Sequence, residues 1–100
     1  MLVARQVFRA KYGRGNELVA HFQELNRRLE EAGGEVPPFR ILTDISGPFF
    51  TVVTEVQFES LAAWEGRFQE AMARPWVGEW MGRMVPLVES GSREFYTLVS

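Results

Sequence analysis

His21 is the only histidine in a chain without cysteine, so it alone has a side chain whose ordinary titration range suits proton transfer near neutral pH. On a helical projection it lies about 60° from the centre of its segment's apolar stripe, at the border between core and water. A general base or ligand contact fits that place. A solvated helix flank fits it equally well, because Glu17, Glu24 and Arg28 lie nearby. A lone histidine with no cysteine and no acidic triplet at ligand spacing does not make a metal site. The second group with chemical capacity is Arg5, Arg9 and Arg40 together with Asp44 and Glu55. Alternation puts them on one face of a sheet, where charges that leave water need partners of opposite sign. They are suited to holding a carboxylate or polarising a carbonyl, or to forming cross-strand ion pairs worth about 0.2–1 kcal/mol each.

The other motifs read as structure. Gly13-Arg14-Gly15 is half of a phosphate-loop pattern, without the remaining glycine or a Walker lysine, and reads as a turn. No base is placed beside a serine: Ser60 precedes a helix, and Ser46, Ser90 and Ser92 fall in expected turns. Trp64, Trp76 and Trp80 with Met72, Met81 and Met84 form an apolar stripe suited first to core or oligomer contact, then to a pocket.

The elements that must position these residues follow from periodicity. Residues Leu2 to Tyr12 alternate, with Leu2, Ala4, Phe8 and Ala10 on one face and Val3, Arg5, Val7 and Arg9 on the other, as in a strand. Asn16 suits the N-cap of a helix whose Leu18, Phe22, Leu25, Leu29 and Ala32 recur at helical spacing, and Gly33-Gly34 supplies a left-handed stop. Pro37-Pro38 places the next strand, about Phe39 to Ile45, at a sheet edge. The turn residues Ser46-Gly47-Pro48 join it to a strand over Phe49 to Phe58. Ser60 caps a helix carrying Leu61, Trp64, Phe68 and Met72, and Pro75 opens a second helical segment to about Val85. A last strand spans about Arg93 to Val99. This order is the split β-α-β arrangement of ferredoxin-like α+β domains, with the first and third strands central in an antiparallel sheet and the helices on one face.

A chain of 100 residues makes one domain able to bury a core without staples. A net charge of −2 gives no basic field for nucleic acid or an anionic membrane. Ten of the eleven basic residues are arginine, a bias that a GC-rich genome explains as readily as anion binding does. The N-terminal residues lack the pattern of a signal or transit peptide, and the absence of cysteine agrees with a reducing compartment, so the expected location is cytoplasmic.

Three stretches carry a resemblance. Lys11 to Gly15 (Lys-Tyr-Gly-Arg-Gly), Phe58 to Glu65 (Phe-Glu-Ser-Leu-Ala-Ala-Trp-Glu) and Pro86 to Tyr96 (Pro-Leu-Val-Glu-Ser-Gly-Ser-Arg-Glu-Phe-Tyr) resemble the small bacterial NIPSNAP-like proteins. The likeness covers nearly the whole chain. It implies the dimeric α+β barrel, in which two open sheets stack face to face around a cavity. That superfamily also holds cofactor-free antibiotic biosynthesis monooxygenases, which oxidise polyphenols, and haem-degrading relatives that use an Asn, a Trp and a His ligand from the helix of the second half. No histidine follows His21, and neither Asn26 nor Gln6 matches the family's asparagine, so no catalytic residue carries over.

The resulting expectation is a homodimer, joined through Val3, Val7, Leu42 and Val53, whose cavity between the sheets binds a small, partly apolar molecule. The candidate contacts are Arg5, Arg9, Arg40, Glu55 and His21, with no cofactor and no metal. The alternatives are a cofactor-independent monooxygenase acting on an aromatic substrate and a purely structural dimer.

Overall fold

In the computed structural model, residues 1–33 and 38–100 are described; Gly34 and Pro37, expected in a helix stop and a strand entry, lie outside the described residues. Four strands, β1 (Leu2–Ala10), β2 (Arg40–Thr43), β3 (Thr51–Phe58) and β4 (Val88–Thr97), form one antiparallel sheet in the order β2-β3-β1-β4. Helices α1 (Gly15–Glu31), α2 (Leu61–Met72) and α3 (Pro75–Met84) cover one face, and a 3-10 turn (Val85–Leu87) leads into β4. The first and third strands are central, as the crossover argument requires.

Every element is present, but several borders differ from the sequence reading for identifiable reasons. α1 begins at Gly15, with Arg14 in the cap position and no side-chain cap bond, so Asn16 lies inside the first turn. Arg14 instead pairs with Glu17 at 2.8 Å. At the other end, Gly33 takes φ +73, the left-handed geometry a helix stop calls for. β2 starts at Arg40 because Asn26 of α1 takes both backbone groups of Phe39: Phe39 N–H donates to Oδ1 at 3.1 Å, and Nδ2 donates to the Phe39 carbonyl at 2.9 Å. β3 starts at Thr51 because Phe50 sits at φ +60, a costly backbone for a bulky residue and incompatible with a strand. The Phe50 carbonyl accepts from Ala10 N–H at 2.9 Å, and its ring meets Tyr12 edge-on at 5.0 Å.

β4 shows the largest departure. It begins at Val88, so Ser90, Gly91 and Ser92 are strand residues and not a turn. The register shifts between Arg9 and Ala10, and Gly91 faces Phe8 across the ladder. A Cβ on Gly91 would meet the Phe8 ring at 3.2 Å and the Val7 carbonyl oxygen at 3.3 Å, so the glycine marks a close approach within a continuous strand.

The core lies between the sheet and α1/α3. Ala10, Leu18, Phe22, Val52, Trp80, Met84 and Leu87 form one buried cluster, with Phe22 against Phe8 at 5.0 Å and Trp80 at 5.3 Å. α3 buries Val77, Trp80 and Met84, whereas α2 buries no residue at all. The α2 N-terminus is secured as expected: the Ser60 side chain accepts from Ala63 N–H at 3.1 Å. Among the described residues, no helix is long and apolar enough to cross a membrane.

Candidate functional site

Three of the expected charged residues, Arg5, Arg40 and Glu55, form with Glu94 one row across all four strands on the helix-free face. Register sets Arg40 opposite Glu55, Glu55 opposite Arg5 and Arg5 opposite Glu94. The signs alternate, and the contacts are Arg40 to Glu55 at 2.6 Å, Arg5 to Glu55 at 3.6 Å and Arg5 to Glu94 at 3.8 Å. Glu94 was not among the expected residues, although its strand and parity were readable. The Arg5 Nε atom is buried with no hydrogen bond. Tyr96 lies two residues beyond Glu94, and its hydrogen bond to that carboxylate, with some burial, raises the phenol above its usual range. Arg9 stands apart on the same face, opposite Thr51 on one side and Ser90 on the other. Asp44 is occupied elsewhere, accepting from Thr51 N–H at 3.0 Å to close the hairpin. Of the expected apolar contacts on this face, Leu42 is 40% exposed, whereas Val53 is only 7% exposed in the single chain.

His21 is not part of that row. Its ring stacks on Trp80 at 4.5 Å with planes 7° apart. Its Nε2 is 2.9 Å from the Trp80 carbonyl, which can only accept, so Nε2 carries the proton. The indole Nε1–H donates back to the His21 carbonyl at 2.8 Å. Nδ1 faces Glu24 at 3.5 Å. The two residues thus clasp α1 to α3.

The other face holds a cavity of about 230 Å³ between the sheet and the helices. Its floor includes Ala4, Gln6 and Phe8 of β1 with Thr54 and Val56 of β3, and its roof includes Phe22 and Leu25 of α1, Phe68 and Met72 of α2, and Val77 and Trp80 of α3. Phe68 and Met72 are 37% and 41% exposed and mark the mouth, while Trp80 and Phe22 are buried at the base. The cavity exists because α2 spans the sheet without inserting a buried side chain. Three polar residues share one row of the floor, Thr54 opposite Gln6 and Gln6 opposite Arg93. Among the described residues, neither the Gln6 amide nor the Thr54 hydroxyl has a hydrogen-bond partner. Arg93 lies over Trp64 at 4.9 Å and Phe68 at 5.0 Å.

The tryptophan and methionine stripe therefore divides by role. Trp80 and Met84 belong to the core, Trp76 lies under Arg28 at 4.3 Å, and Trp64 supports Arg93 at the cavity mouth. The sequence reading missed this site because a cavity is set by how far α2 stands from the sheet, a distance no residue pattern encodes. The alternation of Ala4, Gln6, Phe8 was the one signal, with a glutamine on an otherwise apolar face.

Sheet order, helix placement and the broken second helix define a ferredoxin-like α+β domain. Within that class, the fold is that of the NIPSNAP domain proteins. An uncharacterised NIPSNAP domain protein from Burkholderia xenovorans superposes with a TM-score of 0.86 over 100% of this chain and 96% of its own, at 20% identity. A NIPSNAP family protein from Agrobacterium tumefaciens gives 0.81 over 96% of this chain and 90% of its own, at 16% identity. A proposed antibiotic biosynthesis monooxygenase from Deinococcus radiodurans gives 0.72 over 100% of this chain and 94% of its own, at 14% identity. No family model matches the chain, and no curated protein matches it.

Proposed function

We propose that this chain is a NIPSNAP-like domain that binds a small, mainly apolar molecule in the helix-side cavity and works as a cytoplasmic homodimer. The observation that carries the binding reading is the cavity itself: about 230 Å³, walled by aliphatic and aromatic side chains, with three polar residues on one row of its floor. A few placed polar groups in an apolar concavity are the usual make-up of a ligand site. An apolar cavity of about 150 Å³ accepts benzene, so the space here suits a single substituted ring. Binding is favoured over oxygenation because no His, Asp, Glu, Tyr, Lys or Cys lines the cavity among the described residues. Cofactor-free oxygenation starts by removing a proton from the substrate, and that needs a base within reach.

The homodimer rests on the helix-free face. Its ionic row is already paired within one chain, which lowers the cost of covering it. Val3, Val7 and Leu42 supply the apolar area, while Val53, already buried by its neighbours, adds little. A stable contact needs about 1,200–2,000 Å² in total. Calorimetric titration with monocyclic aromatic compounds tests the binding reading, using Ala71→Phe on α2 to fill the cavity. Binding to the unmodified chain that Ala71→Phe abolishes is expected; equal binding by both proteins would move the site elsewhere. Oxygen uptake on electron-rich phenols would favour the oxygenase.

A further inference from the structure

We infer that the cavity selects a small aromatic carboxylate, with the Arg93 guanidinium as its counter-ion. The inference rests on the binding reading above and adds the chemical class of the ligand. Arg93 is the one charged side chain on the cavity wall among the described residues. Seven other arginines, Arg5, Arg14, Arg27, Arg28, Arg40, Arg67 and Arg83, each have a carboxylate within 4.0 Å, with Arg67 beside Glu70. Arg93 has no such partner among the described residues, and its contacts are two ring faces.

Those rings are themselves a platform. Trp64 and Phe68 stack at 5.1 Å with planes 20° apart, and Phe95 meets Trp64 edge-on at 4.9 Å. A cation–π contact of this kind uses none of the guanidinium N–H donors, so they stay available to donate two parallel hydrogen bonds to a planar anion. On the neighbouring strand, about 4.8 Å away, Gln6 offers an unpaired amide N–H₂, and Thr54 follows one strand further. The row therefore presents a cation and two neutral donors. That set suits a monoanion, because a phosphate dianion would call for a second cation and the wall holds none among the described residues. Beyond the row the walls are Phe22, Leu25, Val77 and Trp80, which take the apolar body of the same molecule. A carboxylate at the exposed mouth keeps part of its hydration while its ring is buried, so the burial cost falls on the group that tolerates it.

The test is isothermal titration of the full chain with phenylacetate and with its uncharged isostere phenylacetamide. Phenylacetate is expected to bind at least tenfold more tightly than the amide. Arg93→Gln should erase that difference while leaving the amide affinity within about twofold, and Arg93→Lys should restore only part of it, since an ammonium loses the planar fork. A circular dichroism melt on each variant confirms that the fold is intact. Equal affinity for acid and amide in the unmodified chain would overturn the anion preference and leave the cavity reading standing. Failure of both compounds to bind at millimolar concentration would overturn both.

Discussion

Replacing His21 by alanine separates a structural role from a ligand-binding one. The substitution removes the Nε2–H bond to the Trp80 carbonyl, 2.9 Å long, and the stack between the rings at 4.5 Å. It leaves the reverse bond from the Trp80 indole to the His21 carbonyl in place, because that acceptor is backbone. A net intramolecular hydrogen bond is worth about 1 kcal/mol and an aromatic contact about 1 kcal/mol more, for a loss of about 2 kcal/mol. In a domain of this size that lowers the melting temperature by about 8–16 °C. His21→Phe retains the stack and should lose about half as much. Urea unfolding followed by tryptophan fluorescence measures both variants, and ligand titration on the same samples supplies the second reading. A stability change under about 0.5 kcal/mol for His21→Ala, the ordinary size of a surface effect, would refute the clasp. Intact stability with lost binding would return His21 to the set of ligand contacts.

Leu42→Glu places a carboxylate on the exposed part of the helix-free face, so a dimer built there should become a folded monomer by light scattering on a sizing column; Val53→Glu should unfold the chain instead, because that position is already buried. Glu94→Gln should move the ionisation of Tyr96, followed by tyrosinate absorbance, down toward the ordinary phenol range. The sign follows from linkage: with a raised folded pKa, the stabilisation is complete below the phenol's unfolded ionisation and is lost as pH climbs through the folded value, so Glu94→Gln should flatten the alkaline limb of a stability profile. Gly91→Val sets a Cβ against the Phe8 ring and the Val7 carbonyl oxygen and should cost about 1–3 kcal/mol in chemical denaturation; an unchanged midpoint would mean that β4 shifts away without penalty.

Element order was legible because periodicity changes sharply along this chain. The alternation in Leu2 to Ala10 and the helical spacing of Leu18, Phe22 and Leu25 leave little room for other assignments. The borders were less legible, because they are decided by contacts distant in sequence and by one residue with a left-handed backbone. Asn26 ends the β2 ladder at Phe39, the left-handed Phe50 delays β3, and the close approach of Phe8 explains a glycine that local chemistry would put in a turn. The charge row was readable for Arg5, Arg40 and Glu55 from strand parity; Glu94 fell inside the expected last strand, but the register that sets it opposite Arg5 is a pairing between strands that parity alone does not fix. The cavity was not readable, since its volume depends on tertiary spacing. The role of His21 also hinged on a partner 59 residues away.

The thinness of α2 has a kinetic consequence. A helix that buries none of its side chains, held by a serine cap at one end and a proline elbow at the other, opens at a free energy well below that of the whole domain. A molecule bound beneath it, as proposed, would then depart through that local opening and not through global unfolding. Residence time and melting temperature become separate properties: a weakened core lowers the second and spares the first, while loss of the Ser60 cap shortens the first and hardly touches the second. On the proposed binding reading, the roof would set how long an occupant stays, and the floor which occupant it is.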